Sequence, residues 1–183
     1  MKIFKPKFWN KKNSLISFIL LPLTIFIQIL ISVQKRMTII KKISIPVICV
    51  GNIYLGGTGK TPLSIEIATV LKKFNKKTAI IKKSYVEHSD EFGLIESRGV
   101  ALFKNLSRIK AISSAIENNF NCVVLDDGLQ DFSINKNISI VCFNEKQLWG
   151  NGMTFPSGPL REPLSSLKRC QIVVINGSKN FEF

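Results

Sequence analysis

Hydrophobic positions fall into two regimes along this chain. From Leu15 to Val33 the residues are mostly Ile, Leu and Phe, and no charge occurs between Asn13 and Gln34. A run of that length matches the hydrocarbon core of a bilayer. Lys2, Lys5, Lys7, Lys11 and Lys12 precede it and Lys35, Arg36, Lys41 and Lys42 follow, so the flanks give no inside–outside bias. Pro22 and the polar Thr24, Gln28 and Ser32 interrupt it, which leaves three readings: a helix lying in the membrane interface, a true span, or a buried core helix. No small-residue site closes the run as a signal peptide requires. Beyond it the apolar runs shorten. Residues 45–50, 78–81, 122–125, 138–143 and 170–175 read as buried strands. Leu63, Ile67, Val70, Leu71 and Phe74 recur at helical spacing, and residues 106–116 read as a second helix. Continuous apolar strands alternating with helices predict an α/β fold, a parallel sheet with helices on both faces. The N-terminal hydrophobic membrane helix stands in front of it, giving an anchoring unit over 1–44 and a core over 45–183.

Charge sharpens this division. Of 183 residues 45% are hydrophobic, and the formal net charge is +14. Ten of the 26 Lys and Arg and none of the 12 Asp and Glu lie in residues 1–65, leaving 16 against 12 for the remainder. The excess therefore sits around the apolar run, where it suits anionic lipid head groups. No aromatic-interleaved basic segment marks a nucleic-acid surface. Cys49, Cys122, Cys142 and Cys170 form no C-x-x-C pair and lie in or beside apolar runs, as reduced core residues do.

The chemistry begins where the first core strand ends. Gly56-Gly57-Thr58-Gly59-Lys60-Thr61 follows an apolar run and precedes a helix, the arrangement of a phosphate-binding loop. Its glycines let backbone N–H groups turn toward phosphate oxygens, Lys60 brings a cation and the Thr61 hydroxyl suits Mg²⁺. Tyr54 stands where the strict pattern has its first glycine. Cys122-Val123-Val124-Leu125-Asp126-Asp127-Gly128 delivers carboxylates to a strand's C-terminal end, where open α/β sheets bind ligands. Glu87-His88-Ser89-Asp90-Glu91 reads as an acidic loop after the second strand. Pro156, Pro159, Pro163 and Gly158 stiffen a loop that carries Arg161 and Glu162; such a loop suits phosphate recognition or a surface ion pair.

Val50-Gly51-Asn52 with the glycine loop, Asp126-Asp127-Gly128-Leu129-Gln130, and Pro156-Ser157-Gly158-Pro159-Leu160-Arg161-Glu162-Pro163, in that order behind a hydrophobic helix, resemble the tetraacyldisaccharide 4'-kinases of lipid A biosynthesis. The resemblance implies a P-loop NTPase-like core. It implies phosphorylation of the 4'-hydroxyl of tetraacyldisaccharide 1-phosphate with ATP and Mg²⁺, at the cytoplasmic face of the bacterial inner membrane. Gly56, Gly57, Thr58, Gly59, Lys60 and Thr61 would hold the ATP phosphates, and Thr61, Asp126 and Glu162 would surround Mg²⁺. Asp90 would be the general base, Asp127 and Gln130 would line the site, Arg161 would steady phosphate charge, and Arg108 matches an arginine that opens a helix.

The chain departs from the family in three places. Lys82-Lys83-Ser84-Tyr85 replaces Ser-Arg-Gly-Tyr, Asp131 replaces a common His, and the chain stops at Phe183 where family members continue into a second lobe. Those departures imply a fragment or a shortened protein, with nucleotide binding retained and lipid phosphorylation weak or absent. A membrane-bound switch ATPase and an inactive nucleotide-binding remnant are the alternatives; such switch proteins usually carry a lysine where this chain has Leu55.

Overall fold

The computed structural model describes residues 5–84 and 89–177, the side chains of 89–91 excepted. Six parallel strands form one sheet: β1 (Val47–Gly51), β2 (Thr78–Lys83), β3 (Ala101–Asn105), β4 (Cys122–Asp126), β5 (Ile138–Asn144) and β6 (Ile172–Asn176), in the order β3-β2-β4-β1-β5-β6. Alternate side chains of the central strands enter opposite cores, as the two-residue period of a strand requires. Val47, Cys49, Ala79, Ile81, Val123 and Leu125 face one side with Ala111, Ile112 and Ala115 of α5 (Arg108–Glu117). Val50, Ile80 and Val124 face the other, with Ile65 and Ala68 of α3 (Lys60–Lys73) and Ile95 of α4 (Ser89–Ser97). Helices thus cover both faces, and the expected parallel α/β architecture is present. Cys49, Cys122 and Cys142 are buried free thiols, with Cys170 half-buried. Burial pushes the Cys49 thiol up to about 12, fitting it for a core and not for chemistry.

Two elements differ from the sequence reading. Residues 89–91 of the acidic stretch expected as a loop open α4, and Ala101–Asn105, which has no strong alternation, forms edge strand β3. An edge strand is buried on fewer sides, so its apolar signal is weaker.

The N-terminal run is not one helix. It breaks at Leu20 into α1 (Leu15–Ile19) and α2 (Leu21–Met37), with Pro22 in the first turn of α2 where its missing N–H costs nothing. Among the described residues no helix is long and apolar enough to cross a membrane, so the spanning reading of this segment is not supported. What the helices bury is their polar side. Ser17 and Thr24 are buried, the Thr24 hydroxyl shares a 2.7 Å hydrogen bond with the Ser157 hydroxyl, and Asn151 Nδ2 donates to Ser17 Oγ. Leu15, Phe18, Ile19, Leu23, Ile25, Phe26, Ile29, Leu30 and Val33 are exposed. The preceding 3₁₀ turn, Lys7–Asn10, buries Trp9, whose indole N–H donates to the Pro156 carbonyl.

Candidate functional site

Parallel register brings the site together. Val50 pairs with Asp126, so β1 releases the glycine loop beside the carboxyl end of β4. Gly59, with φ +85°, caps α3, a conformation glycine adopts without penalty. A Cβ there would collide with the Asn176 side chain at the end of β6. Asn52 Nδ2 donates to the carbonyls of Tyr54 and Gly56 at 2.7 and 3.1 Å and so fixes the loop's entry. Tyr54 is buried. Its backbone pairs with Leu160, and Lys5 Nζ stands 4.7 Å over its ring. That explains the departure from the strict loop pattern: this position anchors the loop to its neighbour instead of bending toward phosphate.

The proline-rich loop is the neighbour. Leu55 N–H donates to the Pro159 carbonyl and Arg161 N–H to the Ile53 carbonyl at 2.6 Å, so residues 159–161 run along the entry to the glycine loop. Arg161 is thereby aimed at Asp127, which it contacts at 3.0 and 3.2 Å through both carboxylate oxygens. Lys60 Nζ lies 3.7 Å from the same carboxylate. Asp127 itself has φ +57°, rare for a non-glycine residue. Its turn swings the side chain out of the sheet direction that Asp126 follows. Burial alone raises the Asp127 pKa, but Lys60, Arg161 and Arg108 outweigh it and hold the carboxyl below the usual range.

Asp126 is fully buried on the α3 side. Thr61 Oγ1 donates to its Oδ2 at 2.9 Å and Ser64 Oγ to its Oδ1 at 3.2 Å. The Thr61–Asp126 pair anticipated from sequence is therefore in direct contact. Two further partners were not anticipated: Ser64, one helical turn beyond the glycine loop, and Lys82, whose Nζ contacts Asp126 Oδ2 and lies 3.3 Å from Thr61 Oγ1.

A second cluster adjoins the first. Gln130 Nε2 donates to the Asn52 carbonyl and to Glu162 Oε1 at 2.8 Å, while its Oε1 accepts from Arg161. Glu162 Oε1 also receives Arg169 at 2.6 Å. Glu162 is thus held by Gln130 and Arg169 within this cluster, and among the described residues no group of three or more His, Cys, Asp or Glu is disposed to hold a metal. Arg108 opens α5 and donates to the Asp127 carbonyl at 2.7 Å and to Asp131 at 3.2 Å. The Asp131 carboxyl, raised by burial, is brought below its usual range by Ser133 and Arg108. Asp90 lies in the first turn of α4, after β2, but its side chain and that of Glu91 are outside the described residues, as are Tyr85, Glu87 and His88 entirely.

A cleft of about 580 Å³ adjoins this second cluster. Arg108, Asp127, Gln130, Arg161 and Glu162 form one wall, and Ile31, Gln34 and Thr38 of α2 and its C-cap form the other. A second groove of about 590 Å³ runs along α2, between Ile25, Ile29 and Val33 and the loop Gly152–Thr154.

The model of the tetraacyldisaccharide-1-P 4'-kinase family matches residues 16–102 and 87–182. A tetraacyldisaccharide 4'-kinase of Pelagibacter ubique is 46% identical over 180 residues, 98% of this chain and 57% of that protein. One from Rickettsia bellii is 32% identical over 200 residues, 98% of this chain and 61% of that protein. The crystal structure of LpxK from Aquifex aeolicus, an "apo" form in complex with ATP, superposes with a TM-score of 0.78 at 27% identity, covering 92% of this chain and 62% of that one. The chain spans about three fifths of the length of the curated relatives it matches. On the family match over nearly its whole length, with the glycine loop, the paired aspartates and the proline-rich loop in direct contact with one another, this chain belongs to the tetraacyldisaccharide-1-P 4'-kinase family.

Proposed function

We propose that this chain carries the nucleotide-binding and catalytic half of a kinase that transfers the γ-phosphoryl group of ATP to the 4'-hydroxyl of tetraacyldisaccharide 1-phosphate. The observation that carries this reading is the cleft that has the Asp127–Arg161 cluster on one wall and α2 on the other. A substrate with a sugar head and acyl tails needs a polar reaction chamber opening onto an apolar track. The cleft and the groove along Ile25, Ile29 and Val33, both bordered by α2, would supply those two surfaces.

Within this proposal the glycine loop 56–61 and the N-terminus of α3 receive the ATP phosphates, and Lys60 neutralises their charge. The donor set fits Mg²⁺, a hard cation that takes one or two protein oxygens together with phosphate oxygens and water. Thr61 and Asp126 would hold it, and when bound it neutralises charge on the transferring phosphoryl group. Glu162, which the resemblance puts beside the ion, is held by Gln130 and Arg169, and Gln130 in turn accepts from Arg161. Asp127 is kept ionised by Lys60 and Arg161, which makes it a poor proton acceptor and a good organiser of cations. By the family resemblance the proton of the 4'-hydroxyl would go to Asp90, with Glu91 as its rival, both in the first turn of α4 after β2. The outward apolar faces of α1 and α2 and the N-terminal lysines support a reading in which residues 1–44 lie as a monotopic unit on the anionic inner-membrane surface, at its cytoplasmic face.

Binding of the sugar lipid tests the substrate assignment. In mixed micelles with Mg²⁺ and a non-hydrolysable ATP analogue, tetraacyldisaccharide 1-phosphate should bind at least about tenfold tighter than a diacyl anionic phospholipid. Arg161→Ala should erase most of that difference, because charged hydrogen bonds are worth roughly 1.5–3 kcal/mol each. Equal affinity for the two lipids would contradict a sugar-lipid site and favour the switch ATPase.

A further inference from the structure

The most unusual charge in the molecule is Lys82. It occupies the C-terminal end of β2, and its register neighbour on β4 is Asp126, since Ile81 pairs with Leu125. Ile80 and Val124 face α3, so the two-residue period sends Lys82 and Asp126 to that same side. There Lys82 is 5% exposed and Asp126 not at all. The ammonium touches Asp126 Oδ2 and lies 3.3 Å from Thr61 Oγ1.

These are the two oxygens that the proposed Mg²⁺ would use. A monocation on a tether and a dication cannot share them. Each would repel the other strongly in so dry a place, where charges a few ångströms apart interact far more than in water. Burying Asp126 without a counter-charge would also be costly, since removing one partner of a buried ion pair leaves an uncompensated charge. Two cations, one built in and one supplied with the nucleotide, can therefore serve the same carboxylate alternately.

We propose that Lys82 is a resident counter-ion of the metal site: it holds Asp126 and Thr61 until a divalent cation arrives with nucleotide, and it must swing aside for that cation to bind. The consequence is a site that resists free divalent metal and accepts it chiefly as the metal–nucleotide complex, whose phosphates offer the displaced ammonium a new partner. This inference rests on the reading of the loop as a Mg²⁺-nucleotide site.

The test uses the 183-residue chain and Mn²⁺ as a paramagnetic probe, titrated by electron paramagnetic resonance with and without a non-hydrolysable ATP analogue. Lys82→Met and Lys82→Gln should bind Mn²⁺ alone at least about tenfold tighter than wild type. With the analogue present the difference should shrink. The variants should also melt earlier than wild type without metal and recover on adding Mn²⁺, a recovery that a purely structural lysine would not give. Identical Mn²⁺ affinities in variants and wild type, with Mn²⁺–analogue binding intact, would overturn the role of Lys82 alone. Failure of every protein to bind Mn²⁺ even with the analogue would overturn the site reading and the inference together. Variants that remain unfolded at millimolar Mn²⁺ would overturn the inference too, because the metal would then be no substitute for the ammonium.

Discussion

Asp127 shows how much of this site is written in single residues. Its left-handed backbone, two cationic neighbours and depressed pKa belong together: the turn aims the carboxylate at Lys60 and Arg161, and they keep it charged. Because its folded-state pKa is lowered, the ion pairs stabilise the fold above the ordinary carboxylate range. That contribution is lost as pH falls through the folded-state value. In Asp127→Asn, melting temperature plotted against pH should fall less steeply than in wild type below about pH 4; parallel curves would show that the pairs add nothing. Gly59 is the second case. Gly59→Ala places a Cβ at φ +85° against Asn176, so the variant should lose more than about 1 kcal/mol in denaturant unfolding. A smaller loss would mean that loop and β6 relax apart. The residues of the glycine, aspartate and proline blocks were legible in sequence because each block is contiguous. Lys82, Ser64 and Arg169 were not, since their partners are set by strand register and helix phase.

At the scale of elements, α2 departs from the usual order, burying Thr24 while leaving Leu23, Ile25, Phe26, Ile29, Leu30 and Val33 exposed. Its composition announced an apolar segment, but which side it buries was decided by Ser157, more than a hundred residues away, as Asn151 decides it for Ser17 of α1. Helix α4 and strand β3 were missed for a related reason, because an acidic first turn and an edge strand carry weak hydrophobic patterns. This arrangement makes two separable predictions. Ile25→Asp with Ile29→Asp changes only exposed positions; it should leave the melting temperature within a degree or two and markedly reduce co-sedimentation with anionic vesicles. Undiminished sedimentation would remove α2 as the membrane-facing element. Thr24→Ala should do the opposite, costing about 1 kcal/mol of stability through the orphaned Ser157 hydroxyl while vesicle binding persists.

For the whole molecule, the parallel sheet and its two helical layers were legible because buried parallel strands read as unbroken apolar runs. The strand order and the packing of residues 5–44 onto the proline-rich loop were not, since both depend on long-range pairing. What that packing achieves is a molecule whose outwardly apolar helix α2 forms a wall of the cleft. The kinase reading depends above all on nucleotide phosphates binding the glycine loop through Lys60. Calorimetric titration of MgATP into the chain tests it directly. Saturable binding to wild type, with affinity reduced at least about a hundredfold in Lys60→Ala, a loss of roughly 2.7 kcal/mol, is the expected result. Equal binding by wild type and a folded Lys60→Ala variant, or no binding by either, would contradict it.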